Sequence, residues 1–240
     1  MSSPALTRAD IARHAAFEFV LTTTLLFVVV SLVRWLGHPA SPLSIANPSA
    51  LFAVAGALVA VLIAGLMYSP LGHRSGGHMH PGVTLFVWLG GGLPGAAVVP
   101  YVVAQLAGSI AGAGLARLVW GPAVTQVGYA AVGSGLGDVG LFLAESLPVA
   151  AIFVVVSFFL PRPETARFVP VVIGVGVGLT IAFLASVSGA SVNPARQLGP
   201  ALFAGQTHGL WIYLTAPVVA PLVVALVLRA VRRSVSPSQV

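Results

Sequence analysis

Six apolar runs long enough to cross a bilayer constrain this chain more than any other feature. They cover about Ala15–Leu36, Ser49–Tyr68, Gly95–Trp120, Gly140–Leu160, Phe168–Val187 and Leu210–Val231, and a spanning helix needs roughly 20 residues. The first is too long for the apolar core of a cleaved signal peptide, and no small-x-small cleavage site follows it. Two further runs, Pro81–Gly92 and Pro194–Gly205, are too short to span. Each starts with Pro directly after a loop of small residues, and Pro in the first helical turn is a start signal because its missing N–H is not needed there. Such segments read as re-entrant half-helices. Irregular backbone at membrane depth is tolerated only where protein or a water-filled cavity satisfies it, so two half-helices predict a cavity. The expected fold is all-α: one membrane domain over residues 1–240, with six transmembrane helices and two re-entrant half-helices.

Composition excludes the soluble alternatives. Of 240 residues, 58% are hydrophobic and 7% charged, against roughly 25% charged in ordinary soluble domains. The mean hydropathy is +1.01. The basic excess, eleven Arg and no Lys against five acidic residues, does not point to nucleic acid. The charges are spread between apolar runs instead of clustering on one face. With both termini cytoplasmic, Arg8, Arg13, Arg74, Arg162, Arg167, Arg229, Arg232 and Arg233 lie inside. Only Arg34, Arg117 and Arg196 lie outside or in the pore, as the positive-inside rule favours. Without Cys there is no thiolate metal site or thiol catalysis, and without Lys there is no phosphate-binding P-loop. No metal, cofactor or enzyme activity is expected.

The chain also repeats itself. Ser75-Gly76-Gly77-His78-Met79-His80-Pro81-Gly82 parallels Ser188-Gly189-Ala190-Ser191-Val192-Asn193-Pro194-Ala195, with His80 and Asn193 113 positions apart. Upstream, Glu18 in the first span parallels Glu145 in the fourth. The pseudo-repeats cover about 13–120 and 139–231, and a flexible tail is expected over about 234–240. Three spans per half give the halves opposite topology, which is an inverted repeat with a site near the midplane built from discontinuous helices. Half-helix N-termini carry free N–H groups and partial positive charge. Two of them meeting in the membrane favour a hydrogen-bond acceptor and disfavour a cation. Small residues at four-residue spacing, Ala104, Gly108 and Gly112 in the third span and Gly174 and Gly178 in the fifth, signal close helix packing.

Ser-Gly-x-x-x-Asn-Pro-Ala-Arg at 188–196 resembles the signature of the aquaporin, or major intrinsic protein, family. Glu18 with Thr22, Tyr101 with Gln105, Gly108 with Gly112, and Gly199-Pro200-Ala201-Leu202 extend the resemblance from about Phe17 to Arg229. It implies a homotetramer in a cell membrane, with one pore per subunit that passes water or small neutral solutes. Asn193 would donate to the permeating molecule, with Pro194 and Ala195 starting its half-helix. His80 stands where the family usually has Asn, and Gly82 where it has Ala, with Pro81 between them. A neutral His80 still offers one N–H donor. Arg196 would sit at the outer constriction, His78 on the inner approach, and Glu18 and Glu145 beneath the re-entrant loops. Counting back 20 from His80 gives Ala60, and counting back 12 and three from Asn193 gives Ile181 and Ala190. A constriction of Ala60, Ile181, Ala190 and Arg196 is wider and less polar than a water filter. It resembles the branch that passes metalloid acids such as boric or arsenious acid. Gln197 replaces the Asp typical of glycerol facilitators. An ion-coupled transporter using Glu18 and Glu145, or a non-conducting member altered at His80 and Gly82, are the alternatives.

Overall fold

The computed structural model describes residues 6–128, 132 and 134–235. In chain order the helices among the described residues are α1 (Arg8–Gly37), α2 (Pro48–Tyr68), α3 (Pro70–Ser75), α4 (Pro81–Leu89), α5 (Gly95–Trp120), α6 (Pro122–Gln126), α7 (Asp138–Phe159), α8 (Pro163–Ala166), α9 (Val169–Leu184), α10 (Pro194–Ala204) and α11 (Leu210–Val235). Those residues contain no strand.

Five helices, α1, α2, α5, α7 and α11, are long and apolar enough to cross a membrane. The sixth, α9, has 16 residues and rises about 24 Å. It stops at Leu184, short of the expected Val187, and the N–H groups of Val187 and Ser188 turn back to the Leu184 carbonyl. The half-helices are α4 and α10. Helix α11 continues over Ser234 and Val235, and the rest of the expected flexible tail, 236–240, lies outside the described residues.

Local chemistry explains the starts. Thr7 and Asp10 form a reciprocal capping box on α1. Asn47, Ser69, His80 and Asn193 cap α2, α3, α4 and α10, and each is followed by Pro. The short helices α3, α6 and α8 each also begin with Pro and fall in connections that apolar periodicity leaves as loops.

The two halves interlock. Helix α1 packs on α5, α7 on α11 and α2 on α9, while each half-helix lies against the last long helix of the other half: α4 on α11 and α10 on α5. At the α2–α9 crossing the backbones touch. A Cβ on Gly56 would lie 2.3 Å from the Gly178 carbonyl oxygen, and one on Gly178 would lie 2.6 Å from the Gly56 oxygen. Gly56→Ala or Gly178→Ala must therefore push two helices apart, and overpacking of this kind costs about 1–3 kcal/mol. The expected result is a lower melting temperature in detergent, read against Gly65→Ala, where a Cβ meets nothing within 4 Å.

Candidate functional site

One buried carboxylate holds each re-entrant loop. Glu18 on α1 accepts hydrogen bonds from the Ser75 hydroxyl (2.7 Å), the His78 N–H (2.9 Å), the Met79 N–H (2.7 Å) and Gln105 Nε2 (2.8 Å). Glu145 on α7 accepts from the Ser188 hydroxyl (2.7 Å) and the N–H groups of Ser191 (3.2 Å) and Val192 (2.6 Å). A tyrosine completes each clamp: Tyr101 donates to the Ser75 carbonyl and Tyr213 to the Ser188 carbonyl. Sequence reasoning passes over Tyr213, although its offset of 112 from Tyr101 is within one residue of the 113 that separates His80 from Asn193.

The clamps hold strained backbone. Met79, Ala190 and Val192 have φ of 48°, 47° and 46°, a region few residues other than glycine occupy and an outlier for β-branched Val. Within these loops the Met79 and Val192 carbonyls meet side chains from the other half. Asn193 Nδ2 donates to Met79 O at 3.0 Å, and His80 Nε2 meets Val192 O at 2.9 Å. Each capping side chain also binds its own half-helix. Gly82 N–H donates to His80 Nδ1 and Ala195 N–H to Asn193 Oδ1, both at 2.9 Å. A carbonyl only accepts and an amide N–H only donates, so His80 Nδ1 is bare and Nε2 carries the proton. His80 is thus a neutral imidazole in one tautomer, with both nitrogens occupied.

His80, Asn193 and Arg196 share a cavity of about 320 Å³ with His78, Ile181 and Ala190. Pro81, Pro194 and Ala195 are buried behind it in the first turns of α4 and α10. The walls are otherwise mostly aliphatic. On α2 the wall runs Phe52, Ala55, Val59, Ile63 and Met67, the three- and four-residue spacing of one helix face.

Ala60 is not on this wall, which corrects its placement by counting. It is turned one residue, about 100°, toward α9. There a Cβ on Gly174 would lie 2.5 Å from the Ala60 carbonyl, and one on Gly178 would lie 3.0 Å from the Ala60 Cβ. Val59 takes the pore-facing position.

At one end of the cavity, Arg196 Nη1 donates to Gln197 Oε1 (3.1 Å), and Gln197 Nε2 donates to the Val132 carbonyl (2.9 Å). A neutral amide thus orients the guanidinium and leaves its charge in place. On the other side of the midpoint, His78 Nδ1 lies 3.1 Å from the Thr84 hydroxyl, which also receives Gln105 Nε2 at 3.0 Å. Glu18 and Glu145 do not line the cavity. Among the described residues no group of three His, Cys, Asp or Glu side chains could hold a metal ion.

The arrangement is a cavity inside the membrane domain with mostly apolar walls, a few fixed donors and, among the described residues that line it, one arginine. Comparison with known proteins points the same way. The family model for the major intrinsic protein matches residues 5–228. The chain is 34% identical to aquaporin TIP4-1 of Zea mays over 209 residues, covering 86% of this chain and 80% of that protein. It is 35% identical to nodulin-26 of Glycine max over 163 residues, 68% of this chain and 60% of that protein. The solved aquaglyceroporin of Plasmodium falciparum superposes with a TM-score of 0.71 at 18% identity, covering 90% of this chain and 94% of that one. The repeat, the paired clamps and these matches make the chain a member of the major intrinsic protein family, a multi-pass membrane channel and not an enzyme.

Proposed function

We propose that this channel passes small uncharged solutes down their gradients: polyols such as glycerol or metalloid acids such as boric and arsenious acid, together with water. The observation that carries this reading is the aliphatic wall facing Arg196. Val59 and Ile181 line the cavity with Ala190 and Arg196, and we infer that these four form its constriction. Aliphatic walls offer no hydrogen bonds to replace a shell of water, so they favour solutes that are weakly hydrated and accept a bond from one cationic donor.

The saturation of Glu18 and Glu145 by loop donors argues against ion coupling, because neither carboxylate reaches the cavity to bind an ion. The remaining proposals are a homotetramer in the plasma membrane with both termini cytoplasmic. They rest on the family resemblance and on the distribution of Arg.

Val59→Trp tests the constriction. An indole there should lower glycerol and boric acid permeability on the order of tenfold, with a smaller loss for water, because a narrower pore penalises the bulkier solute more. Equal losses for all three would place the constriction elsewhere, and unchanged fluxes would remove Val59 from the path.

A further inference from the structure

We propose that His80 locks the two half-helices together, and that the pore midpoint therefore presents one side-chain donor, from Asn193, instead of two. This rests on the passage of small neutral solutes through the cavity. An asparagine amide has two N–H groups and a carbonyl oxygen. Asn193 uses the oxygen on Ala195 N–H and one N–H on Met79 O, which leaves the second N–H for a passing molecule. A neutral imidazole has one N–H and one bare nitrogen. His80 uses both, the bare Nδ1 on Gly82 N–H and the Nε2–H on Val192 O. The two side chains make matching cap and cross-loop bonds, and the histidine has no donor left over.

Gly82 belongs to the same device. A Cβ there would lie 2.9 Å from His80 Cε1, 2.6 Å from the Pro217 carbonyl and 2.8 Å from Pro221 Cγ. The corresponding residue in the second half, Ala195, carries its Cβ. The imidazole and the first turn of α4 are thus packed so closely, against each other and against α11, that the residue two past His80 has room for no side chain. Both departures from the family motif are one structural unit.

A molecule at the midpoint is then held from one half only. Water, which depends on donors to replace the neighbours it leaves behind, is penalised more than a solute with a larger apolar body. His80 acts here as a positioning residue and sets specificity by withholding a bond.

Two measurements test this on the full-length channel in lipid vesicles. Nitrogen NMR of the labelled protein should show His80 neutral, protonated at Nε2 and bare at Nδ1. A proton on Nδ1 would overturn the lock whether or not the channel conducts. His80→Asn keeps the cap and the cross-loop bond and adds a free N–H. It should raise water permeability two- to tenfold, the range one added hydrogen bond allows, with glycerol permeability changing less. A ratio of water to glycerol flux equal to wild type, with the NMR signature in place, would overturn the one-donor midpoint. Absence of flux for every solute in both proteins would instead refute the passage reading and leave the lock to the NMR result.

Discussion

Glu18→Ala abolishes solute flux and leaves little folded channel. The substitution removes the carboxylate from four buried donors at once: the Ser75 hydroxyl, which keeps only a longer bond to the Leu71 carbonyl, two loop N–H groups, and the Gln105 amide, which keeps its bond to Thr84. Each donor left unsatisfied costs roughly 1–3 kcal/mol, so the sum is of the same order as the roughly 5–15 kcal/mol that holds a typical domain together. Glu145→Ala orphans three donors and should be damaging but milder. Glu18→Gln keeps the volume and one acceptor oxygen. Its amide nitrogen faces the donors that met the second oxygen, so it should fall between Ala and wild type. Thermal unfolding in detergent and flux per folded protein both read the order wild type, Gln, Ala. A Glu18→Ala channel as stable and conductive as wild type would show that the loops hold themselves.

Arg196→Ala admits cations. The guanidinium is on the cavity wall, and its hydrogen-bond partner is the uncharged Gln197, so its positive charge faces the path. At an effective dielectric constant of about 20, a cation passing roughly 5 Å away is repelled by about 3 kcal/mol. That converts to roughly a hundredfold in rate. The variant should raise proton or sodium leak into dye-loaded proteoliposomes by that order. The N-terminal dipoles of α4 and α10 remain, so some exclusion persists. Arg196→Lys keeps the charge and should stay tight to cations, while losing the guanidinium hydrogen bond to Gln197 Oε1. A tight Arg196→Ala channel would move the exclusion to the midpoint.

How far the sequence discloses this architecture depends on the precision each feature demands. The six spans and two half-helices are legible because apolar length and a leading Pro are coarse signals that survive errors of several residues. The clamps are legible only in part: the repeat pairs Glu18 with Glu145, and it is the family resemblance that implies their place beneath the re-entrant loops. Wall positions are different. A helix turns 100° per residue, so a count of 20 that is off by one exchanges Val59 for Ala60 and moves the side chain from the cavity to the α9 contact. The extra turn at α3, between α2 and the motif, makes such a count insecure. The lock at His80 is beyond sequence reading for another reason. Its partner is a main-chain carbonyl 112 residues away, on a loop whose local conformation has φ of 46° at Val192. No residue type advertises that orientation, although the absence of a Cβ at Gly82 is its trace in the sequence.

The account stands or falls on passage through the cavity that joins Asn193 to Arg196. The most direct measurement is stopped-flow light scattering on proteoliposomes of the purified chain, challenged in turn with boric acid, glycerol and an impermeant osmolyte. The predicted result is shrinkage followed by re-swelling with boric acid or glycerol that is faster than in empty liposomes, and shrinkage without re-swelling for the impermeant osmolyte. Re-swelling that matches empty liposomes for both solutes would contradict it.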